Sequence, residues 1–182
     1  MRLFTALAIS EPAKHQLQML QAGVPGAHWR PRENFHITLQ FYGDIAPQAV
    51  SELEAALAEI TVPVLELKLS GLGAFGKKHP FALWAGVAGA TPMEQENLLQ
   101  LAQNCYQAAR LAGLSPEKRN YTPHLTLAYC TGVTNIQAAN YFQQFDGYAP
   151  IFLRSSGFDL LSSHLGKGPA KYRVQTSFTP AK

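Results

Sequence analysis

The sequence predicts an α+β fold: a duplicated strand-helix-strand unit forming two pseudo-symmetric lobes, with antiparallel sheets, helices on the outside and a cleft between the lobes. Three observations carry this. The order strand, helix, strand, helix occurs twice along the 182 residues. The tetrapeptide His36-Ile37-Thr38-Leu39 returns as His124-Leu125-Thr126-Leu127, each copy opening a strand-like run. Within each copy, apolar and polar residues alternate with the period of two that a half-buried strand requires.

The elements follow in order. Leu3 to Ile9 has the nearly continuous apolar character of a buried strand. Ser10 then caps a helix with Pro12 in its first turn and Leu17 and Leu20 on its inner face. The first motif strand spans 35–42 and is expected to break at Gly43-Asp44. Pro47 introduces a helix in which Val50, Leu53, Leu57 and Ile60 keep the spacing of a core-facing stripe. Val64 to Leu69 alternates as a strand, Gly71 to Gly76 reads as a glycine-rich loop, and Phe81 to Val87 reads as a strand with Phe81 and Trp84 in the core. A helix over 93–112 turns Leu98, Leu101, Cys105, Ala108 and Ala109 inward and ends at Gly113, which suits a left-handed cap. The second motif strand occupies 124–129, and a short helix runs from Asn135 to Phe145. Strands over 151–161 and 170–177 close the chain, and strands can be exchanged between the lobes in space.

A chain of 182 residues with 47% hydrophobic and 15% charged content is long enough to bury a sizeable core, and residues 1–182 are read as a single two-lobed domain. No apolar run has the length of a membrane-crossing helix, and Met1-Arg2-Leu3-Phe4 leads directly into a strand without a cleavage site. We therefore expect a cytoplasmic monomer with no membrane partner. Cys105 and Cys130 read as free thiols of a reducing compartment. No cysteine cluster or helical His-x-x-x-His pair is present and carboxylates near the motifs are few, so neither a metal nor another cofactor is expected. The net charge of +3 is compatible with a polyanionic ligand, with Lys77-Lys78-His79 and Lys118-Arg119 as the densest basic spots. Each of these is more often a solvated loop than a phosphate contact.

The repeated motif carries the chemistry. In Phe35 to Phe41, the side chains of His36, Thr38 and Gln40 share one strand face while Phe35, Ile37, Leu39 and Phe41 share the other. Imidazole and hydroxyl thus point the same way, roughly 7 Å apart along the strand. His124 and Thr126 repeat this against Leu125 and Leu127. Two such strands side by side would converge two imidazoles and two hydroxyls on one pocket. The hydroxyls can donate to non-bridging phosphate oxygens, while one imidazole takes a proton from a nucleophile and the other gives one to a leaving group. Such a pair could supply roughly 5 to 10 kcal/mol of barrier lowering without a metal. A lone His-x-Thr is more often a surface feature, and the duplication distinguishes this pair. His15, His28, His79 and His164 lack the motif and are read as surface residues, with His164 a weak candidate in the closing hairpin.

The flanks extend the pattern. The stretch His28 to Asp44, with Asn34 two residues before the histidine and Phe41 and Gly43 after it, is similar to the first signature of the RNA 2′,3′-cyclic phosphodiesterases. These form the bacterial 2′-5′ RNA ligase-like branch of the two-histidine phosphoesterases. Lys118 to Ala128, with Pro123 directly before His124, resembles their second signature. Arg2 to Leu7 resembles the opening strand, and Leu161 to Leu165 through Gly168 and Tyr172 resembles the closing hairpin, so the likeness covers nearly the whole chain. The sequence departs from the pattern at Tyr129, where close relatives commonly carry an arginine that reaches the phosphate. A phenol cannot replace a guanidinium there. Either Arg30, Lys118 or Arg119 supplies the charge, or transition-state stabilisation is weaker.

The resemblance implies metal-independent opening of a 2′,3′-cyclic phosphate at an RNA or nucleotide end to leave a 2′-phosphate, with joining to a 5′-hydroxyl through a 2′-5′ bond as the reverse reaction. The expected site holds His124 as base, His36 as acid, Thr38 and Thr126 on the phosphate, Phe41 stacked on the terminal base, and Tyr129, Arg30 and Arg119 as substrate-binding residues. Trp29 and Tyr121 flank the signatures and could also stack on bases. The rival readings are a phosphodiesterase for another small cyclic phosphate or a 2′-5′ oligonucleotide, and an inactive RNA-end binding module.

Overall fold

The computed structural model describes residues 1–117, 120–166 and 168–180. The elements are β1 (Arg2–Ala8), α1 (Glu11–Gln18), β2 (Ala27–Trp29), β3 (His36–Asp44), α2 (Gln48–Ala58), β4 (Leu65–Phe75), β5 (Ala82–Gly89), α3 (Pro92–Leu111), β6 (His124–Cys130), α4 (Asn135–Gln144), β7 (Ile151–Ser155), β8 (Phe158–Gly166) and β9 (Gly168–Phe178). They form the expected α+β arrangement of two antiparallel sheets, ordered β3-β1-β8-β9 and β2-β6-β5-β4-β7. The lobes exchange strands: β8 and β9 return from the C-terminus to complete the sheet of β1 and β3.

The motif strands are held by their apolar faces. Ile37 and Leu39 of β3 and Leu125 and Leu127 of β6 lie in one buried cluster with Leu53 and Leu57 of α2 and with Leu98, Leu101 and Cys105 of α3. Fully burying one such side chain contributes about 1.5–3 kcal/mol. A one-residue slip of either strand would send these groups to the cleft and the histidine into the core, so the alternation itself fixes which face the imidazoles occupy. Two of the helices, α3 and α4, start where side chains satisfy their free N–H groups. Thr91 with Glu94 and Thr134 with Gln137 form reciprocal capping boxes at α3 and α4. Ser10 precedes α1 without a capping hydrogen bond from its side chain.

Several boundaries differ from the sequence reading, each for a local reason. β3 continues through Gly43, whose φ of 77° lets the strand bend without ending, and it still pairs with β1 at Leu3. The segment read as a glycine-rich loop is strand: β4 runs to Phe75 with a register shift between Leu69 and Leu72, and Gly71 sits in that bulge. Gly73 serves close packing, since a Cβ there would lie 2.2 Å from the Trp84 ring. The segment 151–161 is two strands in different sheets, separated at Gly157, where a Cβ would meet the Phe178 carbonyl oxygen at 2.7 Å. Short β2, which has no sequence signal of its own, adds to the edge of β6 through Ala27, His28 and Trp29. Phe81 is 58% exposed, not core, because it precedes β5 and its ring covers Phe75 instead of entering the interior. No helix among the described residues is long and apolar enough to cross a membrane.

Candidate active site

β3 and β6 meet across the lobes, and a cavity of about 210 Å³ between them is lined by His36, Thr38, His124, Thr126, Arg30, Asn34, Phe41, Tyr129, Phe4, Ser163 and Tyr172. The structure thus gathers all four motif side chains. Each histidine is the first residue of its strand and is held identically. The Nδ1 of His36 donates to the Asn34 carbonyl at 2.7 Å, and that of His124 donates to the Thr122 carbonyl at 2.7 Å. A carbonyl only accepts, so both bonds place the proton on Nδ1 and leave Nε2 as the nitrogen that exchanges protons.

Aromatic rings fix both imidazoles further. His36 lies between Phe4 at 5.0 Å and Tyr172 at 5.1 Å, the latter edge-on at 88°. His124 meets Phe75 edge-on at 4.8 Å and Trp84 at 6.3 Å. The close approach allowed by Gly73 therefore helps to orient His124 through the indole of Trp84. Trp84 is half-buried on this side of β5, and its Nε1 has no hydrogen-bond partner among the described residues.

Arg30 brings a guanidinium to the wall of the cavity. It is only 7% exposed, its Nη2 donates to the Tyr172 hydroxyl at 2.9 Å, and its Cζ sits 5.2 Å from the Tyr129 ring centre and 5.6 Å from that of Tyr172. Its backbone N–H donates to the Leu127 carbonyl at 2.8 Å, which ties it to β6. Among the described residues no carboxylate pairs with it. A guanidinium taken out of water without a counterion has unmet demand for an anion, and the cavity of about 210 Å³ beside it offers the place for one. Tyr129, 48% exposed, thus carries the guanidinium on its ring face instead of providing charge itself. Lys118 and Arg119 lie outside the described residues.

The same surroundings set the basicity of His36. Burial pulls its pKa down to about 4, and the positive charges of Arg30 and His124 add to this against the opposing effect of the Asn34 carbonyl bond. In the free protein His36 is consequently neutral at neutral pH. Burial also raises the Cys105 thiol to about 12, which removes it as a thiolate nucleophile.

Of the remaining expected residues, Phe41 is 42% exposed and lines the cavity, with the Arg2 guanidinium 5.1 Å from its ring centre, so it is not part of the core. Trp29 packs on Tyr141 and lines an adjoining cleft. His15, His28, His79 and His164 are exposed. Sequence reasoning passed over Phe4, Ser163 and Phe75 as site residues, and it placed Tyr172 only in the closing hairpin. Their common signal is strand alternation, which names a face but not the cavity it lines. Among the described residues no three His, Cys, Asp or Glu side chains come together as a metal site would require.

Comparison with known proteins places the chain in a family. A relative from Aeropyrum pernix named RNA 2′,3′-cyclic phosphodiesterase is 36% identical over 107 residues, 58% of this chain and 58% of its own length. A Geobacillus stearothermophilus protein of the same name is 31% identical over 132 residues, 69% of this chain and 40% of its own length. The chain therefore matches about three fifths or less of these two relatives. The crystal structure of Escherichia coli LigT complexed with 3′-AMP superposes with a TM-score of 0.77 at 22% identity, covering 100% of this chain and 98% of that one. A Thermus thermophilus structure gives 0.77 at 21% identity, covering 98% and 97%. The family model described as LigT like phosphoesterase matches residues 7–84 and 90–171, one segment around each histidine motif. On that match over both lobes, the chain belongs to the LigT-like phosphoesterases.

Proposed function

We propose that the protein opens 2′,3′-cyclic phosphates at RNA or nucleotide ends, yielding 2′-phosphates, with no metal in the step. The single observation that carries this is the buried Arg30, with no carboxylate paired to it among the described residues, facing a cavity walled by two identically held imidazoles. The names of the relatives support the choice of the cyclic phosphate among phosphodiesters.

The strained ring seats its phosphorus between the histidines. Thr38 and Thr126 donate to the non-bridging oxygens, and Arg30 offsets the negative charge that grows there as the transition state forms. His124 is the base that draws a proton from water. Its side of the cavity opens towards the groove of Phe75 and Tyr121, from which a nucleophile can enter. His36, enclosed by Phe4, Tyr172 and Arg30, is the acid that protonates the departing 3′-oxygen. Burial holds its pKa down in the free protein, so in this role the imidazolium has to form as an anionic phosphate is seated beside it. Incubation of adenosine 2′,3′-cyclic phosphate with the protein in excess EDTA tests the reading. Continued turnover is expected, and an activity that vanishes in EDTA and returns with added metal would overturn the metal-free step.

Phe41 is placed to hold the base, away from the reacting phosphorus. Phe41→Ala should raise KM for cyclic nucleotides by about tenfold, as one lost stacking contact implies, while changing turnover of a base-free five-membered cyclic phosphate little. Equal losses on both substrates would assign Phe41 a structural role.

A further inference from the structure

The ribose of a cyclic nucleotide carries the leaving 3′-oxygen, so its place follows from the displacement. Entering and leaving oxygens lie on opposite sides of phosphorus in an in-line reaction. Water arrives past His124, from the groove of Phe75 and Tyr121, and the ribose therefore stands on the side of His36. There Arg30 and Tyr172, together with Phe41, Tyr129 and Ser163, lead from the cavity into a cleft of about 640 Å³ that reaches Arg2. In RNA the chain continues from that ribose through its 5′-oxygen, and the next group is a phosphodiester with one negative charge.

The cleft offers a cation for it. Among the described residues, Arg2 and Arg30 line this cleft with no Asp or Glu beside them, whereas the groove next to His124 has no Lys or Arg in its wall. Arg30 faces the reacting phosphate, which leaves Arg2 for the next one. The backbone of Arg2 is fixed at the start of β1. The residue pairs with Asp44 of β3, and just before it the Met1 amino group donates to the Ile45 carbonyl at 2.7 Å while the Ile45 N–H donates to the Met1 carbonyl at 2.8 Å. Asp44 stands across the strand pair, yet among the described residues no carboxylate forms an ion pair with Arg2. Its Cζ lies 5.1 Å from the ring centre of Phe41, so the guanidinium is one side chain away from the cavity. A guanidinium resting on an aromatic ring keeps N–H donors at its edge, and that fork matches the two non-bridging oxygens of a phosphodiester.

We propose that Arg2 binds the phosphodiester linking the terminal nucleotide to the one before it, and that this contact makes an RNA end a better substrate than a free nucleoside cyclic phosphate. This rests on the cyclic phosphodiesterase reading. Phe41 and Arg2 then hold two parts of one nucleotide, the ring its base and the guanidinium its 5′-phosphate. The contact is remote from the reacting phosphorus and is the same in the ground and transition states. The preference therefore appears in KM and not in kcat.

The test compares adenosine 2′,3′-cyclic phosphate with the same nucleotide carrying a 5′-methyl phosphate, which adds the single charge of an RNA diester and no second base. In the wild type, kcat/KM is expected to be about tenfold higher for the 5′-methyl phosphate, as one hydrogen bond between charged groups implies. Arg2→Gln should abolish this preference. On the unextended nucleotide it should lose no more than about fivefold, the upper end for a cation–π contact withdrawn from Phe41. Arg2→Lys should keep part of the preference, since the charge remains without the fork. A wild type that treats the two substrates alike would overturn the contact while leaving the parent reading intact. So would a folded Arg2→Gln protein whose losses on the two substrates are equal, which would assign Arg2 to the support of Phe41 alone. A wild type inert towards both substrates would remove the parent reading and the contact with it.

Discussion

Replacing either His36 or His124 with alanine is expected to lower kcat for a nucleoside 2′,3′-cyclic phosphate by about 10²- to 10⁴-fold, the usual contribution of one positioned proton transfer. The two losses should not multiply in the double variant, because an acid without its base, or a base without its acid, leaves one half of the displacement unassisted. The fold should survive each change. Both side chains are half-buried at the first residue of a strand, and the strands are anchored by Ile37, Leu39, Leu125 and Leu127 on the opposite face. Circular dichroism and melting of the purified variants would check this. A variant that keeps near-normal turnover with an intact fold would remove its histidine from the mechanism.

Arg30→Ala should have the second largest effect, about 10²-fold or more in kcat, since it withdraws the positive charge aimed at the place where charge develops. It should also leave a signature that a packing defect would not. With His36 at about 4 in the free protein, the macroscopic acid limb of the kcat/KM profile falls near that pH, below the ordinary imidazole range. Removing the Arg30 cation makes protonation of His36 easier, so the acid limb moves to higher pH. Arg30→Lys should recover only part of the rate, because a point charge does not reproduce the planar fork. Tyr129→Arg in the wild-type background is expected to be neutral or harmful, as a second guanidinium would stand where the first already lies 5.2 Å from the ring. The same change in the Arg30→Ala background should restore activity. An Arg30→Ala variant with unaltered kcat, together with a faster Tyr129→Arg, would place the phosphate charge elsewhere.

The motif strands and helices were legible because their evidence is periodic. His36 and Thr38 share a face in the sequence and line one cavity in the structure, and the stripe of Leu98, Leu101 and Cys105 is buried as its spacing required. Periodicity assigns a face and is silent on partners. Nothing in the sequence between Ile151 and Phe178 tells that β7 joins one sheet while β8 and β9 join the other, yet this exchange carries Tyr172 onto His36 and Arg30. Glycines misled for a related reason. Gly71 and Gly73 resemble loop residues, but one serves a bulge and the other makes room for Trp84, and neither demand is visible without the neighbouring strand. The substitution of tyrosine for arginine at position 129 was legible as a departure. The choice among Arg30, Lys118 and Arg119 was not, because Arg30 lies far from Tyr129 in sequence and meets its ring only through the pairing of β2 with β6.

In the proposed mechanism His36 protonates the 3′-oxygen while the 2′-oxygen stays bonded to phosphorus. The position of the phosphate in the product tests it most directly. Phosphorus NMR of the product of adenosine 2′,3′-cyclic phosphate, recorded before any isomerisation, should show adenosine 2′-phosphate alone. Adenosine 3′-phosphate, or a mixture of the two, would contradict the assignment of the leaving oxygen and with it the placement of the nucleotide between the histidines.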